Sequence, residues 1–215
     1  MIYKAILGEN KLLYFIVMAA IVVGSSVYIN IFIMSDALVY STYAERLSIE
    51  QVESMLNVNK GLVWVSYLFI PVAILIKILY NSFCLYLGTF LEEKYGTFRD
   101  FFNIALKAEL IFCVAIIVKI VFCEFIIRVK NLDDLNFIPF SLQHLLSGYN
   151  YPKWITYPLQ TANLFEVFYV LFIGKLIAVN RGLTLNQCIR FAALSYFFGV
   201  LFWVLIVVYL TMLIS

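Results

Sequence analysis

Five long runs of apolar residues constrain the fold of this chain more than any other feature of its sequence. They cover about 12–34, 61–91, 101–127, 161–179 and 189–214. A helix needs about 20 apolar residues to cross the roughly 30 Å of hydrocarbon in a bilayer. Hydrophobic residues make up 64% of the 215 residues and charged residues 13%, against about half and about a quarter in soluble domains. The sequence therefore predicts an all-α, polytopic integral membrane protein, a single membrane domain over 1–215 with a bundle of five transmembrane helices.

Two connections between the runs are long enough to carry structure of their own. Between the first and second runs, the stretch "AERLSIEQVESML" predicts a short surface helix. Between the third and fourth runs, Leu142, Leu145 and Leu146 have helical spacing and predict a short amphipathic helix in the membrane interface. Leu142, His144 and Leu145 of this helix, with the interfacial anchor Trp154, are therefore the candidates for binding a partner.

The distribution of Lys and Arg near the ends of the runs predicts the orientation, because cytoplasmic loops carry an excess of these residues. One side of the membrane receives seven of them: Lys4, Lys11, Lys94, Arg99, Lys107, Arg181 and Arg190. The other side receives five, over longer loops: Arg46, Lys60, Arg128, Lys130 and Lys153. We therefore expect a cytoplasmic N-terminus and a C-terminus outside.

Charged side chains inside the apolar runs need partners, because an isolated charge at the centre of a bilayer costs about 2.5–3.5 kcal/mol on insertion scales. The third and fourth runs are antiparallel, which places Lys119 and Glu166 in the outer half and Glu109 and Lys175 towards the inner surface. We expect Lys119 to pair with Glu166. Lys175 is expected either to pair with Glu109 or to extend to the cytoplasmic head groups.

Residue patterns of enzymes and cofactor sites are missing from the sequence. Ser141 and Asp133 or Asp134 lie near the single histidine, His144, but a catalytic triad needs a geometry that such local spacing rarely supplies. The sequence has no HExxH, P-loop or GxSxG pattern. Its four cysteines match no zinc or haem spacing, and a net charge of +2 is too small to indicate nucleic-acid binding. The sequence predicts a non-enzymatic protein without a metal or cofactor.

Two segments carry patterns of small and aromatic residues that go beyond simple hydrophobicity. In 85–108, "LYLGTFLEEKYGTFRDFFNIALKA", a glycine near a helix end is followed by a short turn and by Gly-x-Phe. In 163–193, "NLFEVFYVLFIGKLIAVNRGLTLNQCIRFAA", Asn-Leu-Phe is followed by an aromatic residue, Ile-Gly and a second glycine. The residues of the two patterns are Gly88, Gly96, Phe98, Asn163, Phe165, Tyr169, Gly174 and Gly182.

These patterns resemble the Yip family, five-span membrane proteins first known as partners of Rab-type GTPases and widespread in bacteria. Two departures separate this chain from the eukaryotic members. Glu92 and Glu93 stand where the family has Gly-Gly, and the Asp-Leu-x-Gly-Pro motif is absent. The resemblance therefore favours the bacterial type, whose members are often accessory proteins of the inner membrane, some of them associated with ABC-type exporters.

The function expected from this resemblance is that of an accessory, assembly or regulatory subunit of a larger membrane transport complex. Such a subunit would bind another integral membrane protein as well as membrane lipids, and it would lie in the bacterial inner (plasma) membrane. Two alternatives stay open: a stand-alone transporter or channel, and a membrane-trafficking or membrane-shaping factor of the Rab-interacting type. A chain of acids at the midplane would favour transport, and in the sequence only Lys77 is clearly central.

Overall fold

The computed structural model describes residues 11–43, 47–90, 95–127, 129, 131–146 and 151–214. Within these ranges the regular structure is helical, apart from one isolated β-bridge between Ser141 and Asn163. The helices are α1 (Lys11–Tyr28), α2 (Asp36–Tyr43), α3 (Ile49–Gly88), α4 (Phe98–Ala108), α5 (Leu110–Phe125), α6 (Leu142–Leu145), α7 (Lys153–Thr161), α8 (Leu164–Arg181) and α9 (Leu185–Ile214). A π-helical turn, Ile29–Ile33, continues α1, and a 3-10 turn covers Leu132–Leu135.

Several residues used in the sequence analysis lie outside the described ranges. They are Lys4, Arg46, Lys94, Arg128 and Lys130 of the orientation count, and Glu92 and Glu93 of the departure from the Yip pattern.

Three helices are long and apolar enough to cross a membrane, which is compatible with an integral membrane protein. They are Lys11–Ile33, Ile49–Gly88 and Leu185–Leu213, with mean hydropathies of 2.3, 2.3 and 2.5. These helices correspond to the first, second and fifth predicted spans. The third predicted span is divided into α4 and α5 at Glu109, and the fourth, α8, has 18 residues that include Glu166, Lys175 and Arg181. The five-span bundle therefore stays a prediction, while its helical character is confirmed.

The predicted surface helix before the second span is instead the first part of the long helix α3. Ser48 and Gln51 form a capping box that starts this helix, with the Ser48 hydroxyl accepting from the Gln51 N–H. α3 then continues for 40 residues, about 60 Å at 1.5 Å per residue, which is about twice the hydrocarbon thickness of a bilayer. Its N-terminal turns can therefore extend beyond the membrane without an intervening loop.

The N-terminal turns of α3 pack against two other segments, and we call the three together the outer platform: α2, residues 49–60 of α3, and Leu132–Leu135. Val39, Val52 and Leu56 are buried at their centre. The Leu132 N–H donates to the Thr42 hydroxyl over 2.9 Å. The outer platform thus joins two connections that are far apart in the sequence.

The main core lies at the opposite end of the helices, which we call the inner end, where α3 and α8 finish and α4 and α9 begin. Its buried side chains come from all four helices and include Leu85, Phe101, Ile104, Tyr169, Ile173, Ile177 and Phe191. The rings of Tyr95 and Phe191 stack with centroids 4.0 Å apart. A second group around Met18 and Ile78 attaches α1 to α3, α4 and α5.

Small residues bring α9 close to its two neighbours. A Cβ atom on Gly174 of α8 would lie 2.7 Å from the Ile189 Cα atom. On α3, a Cβ on Gly88 would lie 2.0 Å from the Ser195 hydroxyl, and on α9 a Cβ on Gly199 would lie 2.5 Å from the Cys84 sulfur. Larger side chains at these three glycines would push the helices apart, as at small-residue contacts between membrane helices.

The start of α4 is fixed by a carboxylate that binds both its own cap and the end of α8. Asp100 accepts hydrogen bonds from the Thr97 hydroxyl over 2.7 Å and from the Thr97 N–H over 2.9 Å. It also pairs with the Arg181 guanidinium. The hydrogen bonds from Thr97, with the charge of Arg181, lower the pKa of Asp100 below its ordinary value.

We predict that Asp100→Asn lowers the stability of the detergent-solubilised protein at pH 7 by about 0.5–1 kcal/mol, a value kept small because Asp100 is partly exposed. Since the folded-state pKa is depressed, the stabilisation is present above the unfolded pKa of about 3.9 and is lost as the pH falls through the folded-state pKa. Thermal unfolding of both proteins over a pH series measures this. Asp36→Asn, which removes the exposed ion pair with Lys60, is the control with a smaller expected effect. A difference between wild type and Asp100→Asn that stays constant into acid would contradict the assignment.

The predicted orientation can be tested at two exposed residues near opposite ends of the helices. Ser54 lies on the outer platform and Asn186 in the first turn of α9, and both are exposed. With the four buried cysteines replaced by alanine, Ser54→Cys should react with a membrane-impermeant maleimide added to intact cells. Asn186→Cys should react only after the cells are opened. The reverse labelling pattern would overturn the orientation.

Candidate functional site

The charged residues inside the helical bundle are organised around an ion pair between Lys77 and Glu109. The Lys77 ammonium donates to the Glu109 Oε1 atom over 2.7 Å, and it lies 3.2 Å from the centroid of the Phe112 ring. The Glu109 side chain is only 6% exposed. The other carboxylate oxygen, Oε2, is buried and receives no hydrogen bond from the part of the chain that the structure describes. Lys77 is therefore held by a carboxylate and by an aromatic face together.

A second polar contact lies one helical turn from Lys77, on the same face of α3. The side-chain amide of Asn81 donates to the Tyr169 hydroxyl over 2.9 Å, and both residues are buried. The Tyr169 ring lies between those of Phe112 and Tyr196, with centroid distances of 5.0 and 5.1 Å. Tyr169 thus connects the ion pair to α9.

The third contact belongs to Glu166 at the start of α8. The Tyr196 hydroxyl donates to the Glu166 Oε2 atom over 2.6 Å. The backbone N–H of Glu166 donates to the side chain of Asn163, which caps this helix. We refer to Lys77, Asn81, Glu109, Glu166, Tyr169 and Tyr196 as the polar network. Its members come from α3, from the junction of α4 and α5, from α8 and from α9.

The expected pair of Lys119 with Glu166 is wrong, and so is the first of the two alternatives for Lys175, pairing with Glu109; extension of Lys175 to the head groups stays a prediction. Glu109 takes Lys77 as its partner in place of Lys175, and Glu166 takes the Tyr196 hydroxyl in place of Lys119. Lys119 lies near the Phe137 ring, with its ammonium 5.8 Å from the centroid. Lys175 is exposed on α8.

Residue counts along the helices compare the depths of the charged residues. Lys77 lies eleven residues before Gly88, and Glu109 eleven residues after Phe98, so both are about 16 Å from the inner end at 1.5 Å per residue. Lys175 is only six residues from Arg181, or about 9 Å. By the same count Glu166 is about 22 Å and Lys119 about 31 Å from the inner end. The ion pair thus joins two residues at equal depth, while Glu166 and Asn81 are reached from another depth by the long side chains of Tyr196 and Tyr169.

The four residues predicted to bind a partner lie on or beside one short structured segment. Backbone hydrogen bonds from Leu142 to Ala162 and from Leu164 to Phe140, over 2.9 and 3.2 Å, hold α6 against the start of α8. Leu145 is 73% exposed, and Leu142 and Trp154 are exposed as well. His144 instead faces inward, with its ring 6.1 Å from that of Phe122 and 5.8 Å from that of Phe137. Three of the four candidates can thus contact a partner, while His144 contributes to packing.

Sequence reasoning missed Asn81, Tyr196 and the partner of Lys77. A signal existed for Asn81, since it follows Lys77 by four residues and so shares its helix face. The sequence carried no signal for Tyr196, because one tyrosine among 15 is not distinguished by spacing. Among the described residues, no group of three or more His, Cys, Asp or Glu side chains could hold a metal ion.

The residues of the Yip-like patterns have definite structural roles. Gly88 and Gly174 lie at close helix contacts, and Gly182 ends α8 in the left-handed conformation with φ 66°. Asn163 caps α8, while Tyr169 is fully buried. These roles explain the residue types without deciding the family. Comparison with known protein families, with curated proteins and with solved structures gives no match, so the Yip resemblance stays a prediction.

We predict that Lys77→Met lowers the stability of the detergent-solubilised protein by about 3 kcal/mol, the lower end of the range for breaking a buried pair. The loss arises because Glu109 is left buried without its cation. Adding Glu109→Gln should recover part of it, and chemical unfolding of the single and double variants measures the coupling. Lys119→Met is the matched control and should cost less than about 1 kcal/mol. If Lys119→Met is the more damaging variant and Glu166→Gln rescues it, the pairing described above is wrong.

Proposed function

We propose that this protein is a non-enzymatic subunit that binds another integral membrane protein and assists the assembly or regulation of a membrane transport complex. An ABC-type exporter of a bacterial inner membrane is the kind of complex that the Yip-like patterns suggest. The observation that carries the proposal is the outer platform together with α6 and α7. The parts of the two long connections that the structure describes fold into helices and turns, whereas a protein with no binding task outside the membrane could join its helices by short turns.

The outer platform offers a surface suited to a partner. Its interior is held by Val39, Val52 and Leu56, so exposed apolar side chains on its surface are available for contact with a partner. Ile49, at the start of α3, is 71% exposed. Leu145, at the end of α6, provides a second exposed apolar side chain. Exposed aliphatic side chains on ordered segments outside the membrane are favourable contacts for a protein partner.

The long helices also leave apolar surface for neighbours within the membrane. Only 6% of the most apolar part of α3 is buried within the chain. Lipid tails cover such a surface as readily as protein does. The membrane surface therefore permits a partner's helices to bind, and the outer segments would provide the specificity.

A second candidate function, transport by this chain alone, is favoured by the polar network. The network brings two carboxylates and one ammonium to neighbouring helices, and ionisable residues inside membranes commonly mark proton or ion pathways. The buried Oε2 atom of Glu109, which lacks a hydrogen-bond donor in the described part of the chain, could accept a proton or a cation. The polar network thus has the chemistry for ion transfer, although its hydrogen bonds also suit a purely stabilising role.

Site-specific photo-crosslinking in cells tests the subunit proposal. A photoreactive amino acid at Leu145 should capture one integral membrane protein, identified by mass spectrometry, and Leu145→Glu should reduce co-purification of that protein by about tenfold, about 1.4 kcal/mol. Leu185, 48% exposed at the inner end, is the matched control for both the crosslinker and the glutamate. Neither change at Leu185 should affect the complex.

The second candidate is tested by reconstituting the purified chain alone into liposomes. If it dissipates a proton or cation gradient, and Glu109→Gln abolishes that flux while Leu145 captures no protein in cells, the subunit proposal fails. Transport by this chain would then take its place.

A further inference from the structure

A groove between α3 and α9 opens on the surface of the helical bundle and has a volume of about 890 Å³. Its floor is the close contact of the two helices at Gly88 and Gly199, where a Cβ atom would clash with Ser195 or Cys84. The absence of side chains at these two positions creates the depression.

The walls of the groove are apolar along most of its length. Leu87 of α3 and Leu194, Phe198 and Phe202 of α9 line it, and all four are between 43% and 65% exposed. From Arg190 to Phe202 the groove follows α9 for about 18 Å, close to the roughly 15 Å of hydrocarbon in one leaflet. An acyl chain matches this wall in length and in polarity.

The inner end of the groove has a different chemistry. Gln187 and Arg190 line it there, in the first two turns of α9, and both are exposed. Among the lining residues that the structure describes, Arg190 is the one with a charge. A guanidinium at the membrane surface binds phosphate oxygens through paired, charge-assisted hydrogen bonds.

We propose that the α3–α9 groove is a binding site for an anionic phospholipid of the leaflet at the inner end. Arg190 and Gln187 bind the phosphate of the head group, and one acyl chain lies against Leu87, Leu194 and Phe198. Basic pockets between membrane helices bind anionic head groups by this combination of charge and apolar surface. The charge at one end and the graded polarity distinguish this groove from the uniformly apolar helix surfaces, which any lipid can cover.

The test uses the purified full-length chain in detergent, with phosphatidylglycerol as the anionic probe and phosphatidylcholine as the zwitterionic one. At tenfold excess over its Kd, phosphatidylglycerol should raise the melting temperature by about 3–6 °C, and native mass spectrometry should show it bound in preference to phosphatidylcholine. Arg190→Gln should lower this preference about tenfold or more, because a charged hydrogen bond is lost. Leu194→Trp, which fills the groove at an exposed position, should remove the thermal shift while leaving the helical circular dichroism unchanged.

Arg99→Gln is the matched control, since Arg99 is exposed at the same end of the helices but does not line the groove. If Arg99→Gln and Arg190→Gln had equal effects, the preference for phosphatidylglycerol would arise from general surface charge, and the proposal would be overturned. The same conclusion would follow if the wild-type chain did not distinguish the two lipids. A disulfide between two copies carrying Leu194→Cys, formed in native membranes, would assign the groove to a contact between chains instead. Because the binding assay needs no protein partner, its result is independent of the proposed subunit function.

Discussion

The ion pair of Lys77 and Glu109 is the interaction on which the arrangement of the helices depends. It connects the longest helix, α3, to the place where α4 gives way to α5. Glu109 could not be left alone there, because its side chain is buried and an unpaired charge in an apolar interior costs several kcal/mol. The pair therefore fixes how far α3 slides and turns against α4 and α5. Phe112 adds a second contact to the Lys77 ammonium, and its ring also packs against that of Tyr169.

The position of α9 follows from this pair in combination with three close backbone contacts. Gly174, Gly88 and Gly199 let α9 approach α8 and α3 more closely than side chains would allow. The hydroxyl of Tyr196 then reaches Glu166 and donates a hydrogen bond to this second, half-buried carboxylate. The same close packing leaves the α3–α9 groove on the surface of the helical bundle. The close helix contacts at Gly88 and Gly199 thus hold α3 against α9 and also form the floor of this groove.

The proposed subunit function and the proposed lipid site use opposite ends of the molecule. The outer platform rests on a small core of its own, so changes at its surface need not disturb the main core at the inner end. The lipid groove begins at the inner end, beside Tyr95 and Phe191. Lipid in the groove would stabilise α3 against α9 and so would support the outer platform, which is carried by α3. This connection offers a physical route by which membrane composition could affect the binding of a partner.

The sequence by itself determined the helical class of the protein. Helices and closed barrels are the structures that satisfy the backbone in lipid, and apolar runs of about 20 residues or more have the length of a membrane helix and not that of a barrel strand. Three of the runs are helices apolar and long enough to cross a membrane. The role of Leu142, Leu145 and Trp154 in binding a partner stays a prediction. Only the tertiary structure decided that Lys77 pairs with Glu109, that Tyr196 binds Glu166 and that α3 continues through the predicted surface helix. Hydrophobicity records which residues avoid water, but it contains no information on the rotation of a helix about its axis or on its neighbours. Residue counting gives depth only to about one helical turn, and a charge pair needs its two atoms within about 4 Å, so the partners had to come from the packing of the helices.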